Sequence, residues 1–199
     1  MKRTVHLAAH AVLGPGGTPE ISFVPPLVRR RFSPLQKLYF ALAKAAEKSP
    51  AANTVFSSRD GEDTLTRRLV EEFHADGTVS PHRFSSSVYN AAPGLWSVFT
   101  GNRASYTAVA AGDDSVESGL LEALAGAMPS LYVYAEETGG GYGAAMFFED
   151  VPGARALDAV EGDPARGAMT YEALAAFLEG RTHVLEGRWV TLRDRPCAG

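Results

Sequence analysis

The stretch SPHRFSSSVYNAAPGLWSVFTGNRASYTAVAAGDDSVESGLLEAL, residues 80–124, decides how the rest of the chain is read. Phe84, Val88, Ala91, Ala92, Leu95, Val98 and Phe99 recur at helical spacing, and a Gly101-Asn102 turn closes that segment. Small residues from Ser105 to Ala111 then predict a strand, and Gly112-Asp113-Asp114-Ser115 opens a second helix. Such a strand-to-helix junction aims the end of the strand and the first helical N–H groups at one spot, where the positive helix end favours an anion or an activated nucleophile. Gly112, Asp113 and Asp114 fill that spot here. On spacing alone they read as ordinary helix openers, because an aspartate accepts a free N–H and its charge complements the dipole. None is a strong nucleophile.

Working outward toward the N-terminus, Thr4–Leu13 is a strand candidate closed by a Gly14–Gly17 turn, and Ile21–Val24 reads as a short extended piece stopped by Pro25-Pro26. Ser33-Pro34 is a helix start, with serine as N-cap and proline at the first helical position, and Leu35, Leu38, Tyr39, Leu42, Ala45 and Ala46 make its apolar stripe. Asn53–Ser58 predicts a short buried strand that ends at Arg59-Asp60-Gly61-Glu62, before a helix carrying Leu65, Leu69, Val70 and Phe73. Ser57, Ser58 and Arg59 therefore stand at a strand's C-terminal end, where open α/β sheets place their sites. For Arg59 the simplest role is an ion pair with Glu62 or Asp63.

Toward the C-terminus, a helix from Ser115 to Ala127 repeats small and apolar residues on one side. Leu131–Ala135 is a strand. The loop Thr138–Gly143 lacks the Gly-Lys-Ser/Thr ending of a phosphate-binding loop and is followed by another strand, Ala144–Glu149, so it reads as a hairpin or crossover loop. A Gly/Pro/Asp-rich connector, Asp150–Met169, leads to a helix over Tyr171–Leu178 and a last strand over His183–Leu192, a C-terminal extension at about 168–193 added at the sheet edge. Alternating strands and helices indicate an α/β architecture with a mixed sheet of five or more strands covered on both faces and a buried central helix.

With 199 residues, 45% of them hydrophobic, the chain is long enough to bury a full core, and one domain over 1–199 is expected. A net charge of −4 argues against nucleic acid or an anionic membrane as partner. The one cysteine, Cys197, sits in a Pro- and Gly-containing tail; it excludes a disulfide framework and a thiolate metal site, suits a reducing cytoplasm, and is poorly placed for catalysis. No cofactor is implied. His6 and His10 share a face without a third ligand nearby, so no metal site is assigned. The N-terminal run is charged and then apolar, yet its two histidines and the lack of a small-residue cleavage site argue against a secretion signal.

Ser80-Pro81, Asn90-Ala91-Ala92-Pro93-Gly94, Ser97-Val98, Gly101-Asn102-Arg103 and a small strand entering a helix resemble the N-terminal half of a β-ketoacyl synthase of the thiolase superfamily. More narrowly, the chain is similar to truncated ketoacyl-synthase-like proteins, akin to chain length factors, found beside aryl polyene and related polyketide or fatty acid synthases. The family's small strand leads to a nucleophilic cysteine at the N-terminus of a buried helix. Asp113 or Gly112 stands at that position here, and His74, His82 and His183 match neither of the family's histidine motifs. The chain departs from the family again at Ala104-Ser105, where Gly-Pro is common.

Without a thiolate to carry the acyl chain and histidines to stabilise the enolate, no condensation is expected of the chain alone, and no residue is assigned as catalytic. The resemblance implies a non-catalytic, chain-length-factor-like subunit in a heterodimer with a complete ketosynthase. Ser105, Tyr106, Thr107, Ala108, Val109 and Ala110 would pair with the partner's equivalent strand, while Phe84, Val88, Tyr89 and Asn90 would approach its acyl tunnel. Asp113 is expected to accept helix amides or cap Val116. The isolated chain could homodimerise through the same strand. Two other readings remain open at this point. One is a stand-alone acyl-thioester enzyme using Asp113 or Asp114 with Ser57 or His82; the other is a module that docks an acyl carrier protein on Arg29–Arg31 or Arg67-Arg68.

Overall fold

The structure, a computed structural model, describes residues 2–195; Cys197 lies outside the described residues. Strand β1 (Lys2–Leu13) enters the sheet, buries Val5 and Leu7, and leads through a turn to the short helix α1 (Pro26–Arg29). Ile21–Val24 is a turn rather than an extended piece, with the Val24 N–H donating to the Ile21 carbonyl at 3.0 Å, because both side chains are needed in the core. Helix α2 (Pro34–Ala46) starts with the expected proline and a reciprocal cap. The Ser33 hydroxyl accepts the Gln36 N–H at 3.0 Å, and the Gln36 side chain accepts the Ser33 N–H at 3.2 Å.

After β2 (Asn53–Ser57) and α3 (Asp63–Asp76), the single helix expected from Phe84 to Phe99 is two, α4 (Pro81–Ser87) and α5 (Ala91–Thr100). The hydroxyls of Ser85, Ser86 and Ser87 donate to backbone carbonyls of His82 and Phe84, and the chain turns extended at Val88. Next come β3 (Tyr106–Val109), a 3-10 turn (Gly112–Asp114) and α6 (Ser115–Ala125). Strands β4 (Ser130–Glu136) and β5 (Tyr142–Phe148) form the hairpin. The connector expected to lack structure holds a seven-residue strand, β6 (Arg155–Glu161). Helix α7 (Tyr171–Leu178) falls where expected, and the last strand is split into β7 (Val184–Leu185) and β8 (Val190–Asp194).

Eight strands form one mixed sheet in the order β3-β2-β4-β5-β1-β6-β8-β7, parallel at β3-β2-β4 and antiparallel elsewhere. Alternate residues of β4 and β5 feed two cores. Tyr132, Tyr134 and Met146 pack with Leu120, Leu124 and Leu174 on the face covered by α6 and α7. Leu131, Val133 and Phe147 pack with Leu38, Phe40 and Trp96 under α2 and α5. Burying each of these side chains contributes about 1.5–3 kcal/mol, an upper bound because the unfolded chain is already partly collapsed. Helix α6 lies so close to the sheet that a Cβ on Gly119 would stand 2.5 Å from the Ser57 hydroxyl oxygen and 2.7 Å from the Tyr132 ring. Among the described residues no helix is long and apolar enough to cross a membrane.

Candidate functional site at the C-terminal ends of the parallel strands

The three parallel strands end side by side: the polar Ser57 and Glu136 close β2 and β4, and Val109 closes β3 beside them. Glu136 is buried, and its carboxylate accepts the backbone N–H of Arg59 and, at 3.4 Å, that of Asp60. Burial pushes this carboxyl above its usual range, against the pull of those amides. Its work is to hold the Arg59–Asp60 turn down on the sheet.

Tyr89 braces the same turn from above. Its hydroxyl accepts the Ser58 N–H at 2.8 Å and lies 2.8 Å from the Val109 carbonyl, so one phenol ties the ends of β2 and β3. A Cβ on Gly61, which has φ +62, would meet the Tyr89 ring at 2.9 Å. Burial raises the Tyr89 phenol above its ordinary range and keeps it protonated. Tyr89 is thus turned inward, whereas Phe84, Val88 and Asn90, grouped with it by sequence, are exposed.

At the start of α6 the backbone at Gly112 has φ +56, the left-handed region that favours glycine. Neither aspartate caps the helix, contrary to the expectation for Asp113. The junction is closed by Ser115, whose hydroxyl accepts the Ala111 N–H at 3.0 Å and donates to the Gly112 carbonyl at 2.7 Å. Asp113 points to solvent and pairs with Arg59 at 3.2 Å, and Asp114 pairs with Arg188 at 3.3 Å. Arg59 also pairs with Asp60 at 3.2 Å rather than with Glu62 or Asp63, which are taken by the Ser33 hydroxyl and by Arg67.

Arg59, Gly112, Asp113, Tyr134, Tyr142 and Tyr171 line a cleft of about 390 Å³ over this junction. Among the described residues the cleft holds no assembled nucleophile. The Ser57 hydroxyl faces the Tyr132 hydroxyl at 3.0 Å, which in turn donates to the Val116 carbonyl at 2.7 Å; burial raises that phenol, leaving Ser57 with no base. His82 lies elsewhere, on exposed α4. The pairs considered for a stand-alone thioester enzyme are therefore not brought together: Asp113 and Asp114 bind arginines, and Ser57 and His82 stand apart from both.

β3, the strand that leads to this junction, is the free edge of the sheet. Tyr106 and Ala110 are exposed, and Thr107, Ala108 and Val109 are half-buried. Residues 7–142, from β1 to the start of β5, match the family described as beta-ketoacyl synthase, N-terminal domain. The chain belongs to that family. No curated protein sequence matches it. Among solved structures, a complex of the Xenorhabdus doucetiae ketosynthase ApeO with its chain length factor ApeC contains a chain that superposes with a TM-score of 0.76 at 19% identity, covering 97% of this chain and 100% of that one. A type II polyketide synthase acyl-carrier protein in complex with its ketosynthase bound to the hexaketide matches at 0.66 and 11% identity, over 82% of this chain and 70% of that one. The ishigamide ketosynthase/chain length factor matches at 0.51 and 14%, over 67% of this chain, which spans about half of that one, 51%. These likenesses establish the ketosynthase-like fold. Strands β6 to β8 lie beyond the family match.

Proposed function

We propose that this member of the ketosynthase N-terminal family is a non-catalytic, chain-length-factor-like subunit that pairs in the cytoplasm with a complete β-ketoacyl synthase of polyene, polyketide or fatty acid synthesis. The observation that carries the reading is the uncovered edge at β3: a strand with no charged residue from Ser105 to Ala110, open on one side and leading straight to a junction without a cysteine. An open, uncharged edge invites pairing with a strand of another chain. Exposed Phe84, Val88, Val98 and Tyr106 supply apolar surface on the neighbouring α4, α5 and β3. In this reading Asp113 occupies the place of the lost nucleophile, where its pairing with Arg59 makes it inert. The superposition on structures of ketosynthase complexes supports the same assignment.

The test is to purify the chain alone and co-expressed with a complete ketosynthase of its own genome, to weigh each sample by light scattering, and to assay condensation of malonyl and acyl carriers. The expected result is a one-to-one complex that condenses only when both chains are present. A ketosynthase that is soluble, homodimeric and fully active without this chain overturns the proposal.

A further inference from the structure

Beside α4 a groove runs over the surface in three connected stretches. The first, about 390 Å³, lies between α1, α2, α3 and α4 and is ringed by Arg30, Arg31, Arg68 and Arg83. The second, about 300 Å³, is walled by Leu27, Val28, Phe32 and Leu95. The third, about 320 Å³, continues along α5 past Gly94 and Val98 to Tyr106. His82 and Ser86 line all three, so the stretches adjoin at α4. Each volume lies at the lower end of the range for small-molecule sites.

The charge in the first stretch is not balanced from within. Arg68 and Arg83 both bind one carboxylate, Glu72. Arg30 and Arg31 have no carboxylate partner among the described residues. Four guanidinium groups therefore face one directly paired carboxylate, with Glu62 and Glu137 held behind the lining by Ser33 and Thr64, in a chain whose net charge is −4. Planar guanidinium forks are suited to bidentate binding of phosphate or carboxylate. In the adjoining stretch, Leu27 is 75% exposed and Val28 42% exposed, an apolar surface that nothing in the fold covers.

We infer that this groove binds an amphiphile with an anionic phosphate or carboxylate head and an apolar chain. The head sits among Arg30, Arg31, Arg68 and Arg83, and the chain lies over Leu27, Val28 and Leu95 toward α5. The inference does not rest on the heterodimer: Val98 and Tyr106 of the third stretch belong to the surface proposed above for the partner, whereas Leu27, Arg30 and Arg31, the residues tested, line the first two stretches.

The experiment is calorimetric titration of the isolated chain with dodecyl phosphate and with dodecanoate, each below its micellar concentration, against dodecanol and inorganic phosphate as single-feature controls. Saturable binding of a headed chain is expected, at least tenfold tighter than either control. Tighter binding of dodecyl phosphate assigns a phosphate head, and tighter binding of dodecanoate a carboxylate. R30E/R31E is expected to weaken binding at least tenfold at an unchanged melting temperature, and L27D to weaken binding of the headed chain without changing that of inorganic phosphate. Absence of saturable binding overturns the inference. So does binding that both variants retain at wild-type strength, or binding in which dodecanol equals the headed chains.

Discussion

The two edges of the sheet are treated in opposite ways. At the far edge β7 is two residues long, and the turn between β7 and β8 is tied to α6 by one side chain. Glu117, fully buried, accepts the backbone N–H groups of Arg188, Trp189 and Val190 at 3.0, 2.6 and 2.8 Å. Asp194, at the end of β8, is gripped by Arg155 and by His183, the latter at 2.8 Å, and these partners hold its carboxyl below the usual range. Short length and charge are the devices by which a protein blunts an edge. At β3 charge is not used. The strand runs four residues, twice the length of β7, with its outer side bare, and its flanks are Ser105 and Ala110. One edge is closed by the chain itself, and the other is open.

The largest effect is expected where the closed edge depends on a single carboxylate. Glu117→Ala leaves the buried Val190 amide and the part-buried amides of Arg188 and Trp189 without their acceptor, and the buried one alone costs about 1–3 kcal/mol, so a loss of about 2 kcal/mol or more is expected in denaturant unfolding. Hydrogen exchange should quicken first at residues 188–190. If the variant unfolds at the wild-type midpoint, the far edge is held by β6–β8 pairing alone and the contrast weakens. On the other side of α6, Gly119→Ala forces a Cβ against Ser57 and Tyr132, and is expected to cost about 2 kcal/mol through overpacking despite alanine's better helix propensity. The same unfolding measurement checks it. A stabilised variant would show that α6 can lift from β2 without penalty.

How far this arrangement can be read without coordinates depends on what fixes each element. The Ser33 cap and α7 rest on local signals and were legible, as was the turn between β4 and β5, read as a hairpin or crossover loop; the reciprocal Gln36 half of the cap was not read. β6 was not, because its residues, Arg-Ala-Leu-Asp-Ala-Val-Glu, include poor strand formers and it exists through pairing with β1 and β8 on its two sides. The break at Val88–Asn90 was missed for a similar reason: Tyr89 leaves the helix to reach Ser58, a contact 31 positions away. At the junction the strand-to-helix turn was legible, but the partners of its residues were not. Ser115 closes the turn in place of Asp113, and Arg59 reaches Asp113 across a distance of 54 positions in the sequence. The signal available for Ser115 was its place directly after two aspartates that both find arginines.

A second carboxyl, on the open side, is left half-satisfied where Glu117 is fully bonded. Glu62 accepts the Ser33 hydroxyl at 2.9 Å with one oxygen, while its other oxygen and one oxygen of Glu137 are buried without a partner among the described residues. Burial, reinforced by Glu137 and opposed by the Ser33 hydroxyl, pushes the Glu62 carboxyl up to about 7 from 4.5. A raised carboxyl means that the folded state holds a proton the unfolded chain has lost, so stability falls as pH rises from 4.5 to about 7 and the penalty is constant above that. Glu62→Gln removes the titration. It is expected to be about 1–3 kcal/mol more stable than the parent at pH 8 and to lose that advantage at about pH 4.5, because a tenfold change in acidity corresponds to about 1.4 kcal/mol. Equal pH profiles for the two proteins would mean that water reaches Glu62 and that the open side is better solvated than its burial indicates.

The smallest effect on stability is expected at the open edge itself, and it separates folding from assembly. Tyr106 is 42% exposed on β3 and pairs only inward, with Thr54 of β2. Tyr106→Lys should move the unfolding free energy by no more than about 0.5 kcal/mol, as surface substitutions do. An edge lysine blocks strand-to-strand pairing, since its charge would be buried between two chains. Association with the ketosynthase should therefore weaken at least about tenfold, or about 1.4 kcal/mol, while the monomer unfolds as before. Light scattering of the mixed chains reads the first quantity and denaturant unfolding the second. Loss of both together would place Tyr106 in the fold's own support, and the difference between the edges would then be one of length alone. Loss of association with folding intact is what an edge kept open for a partner requires, because only then does the sheet lack nothing but the strand that another chain supplies.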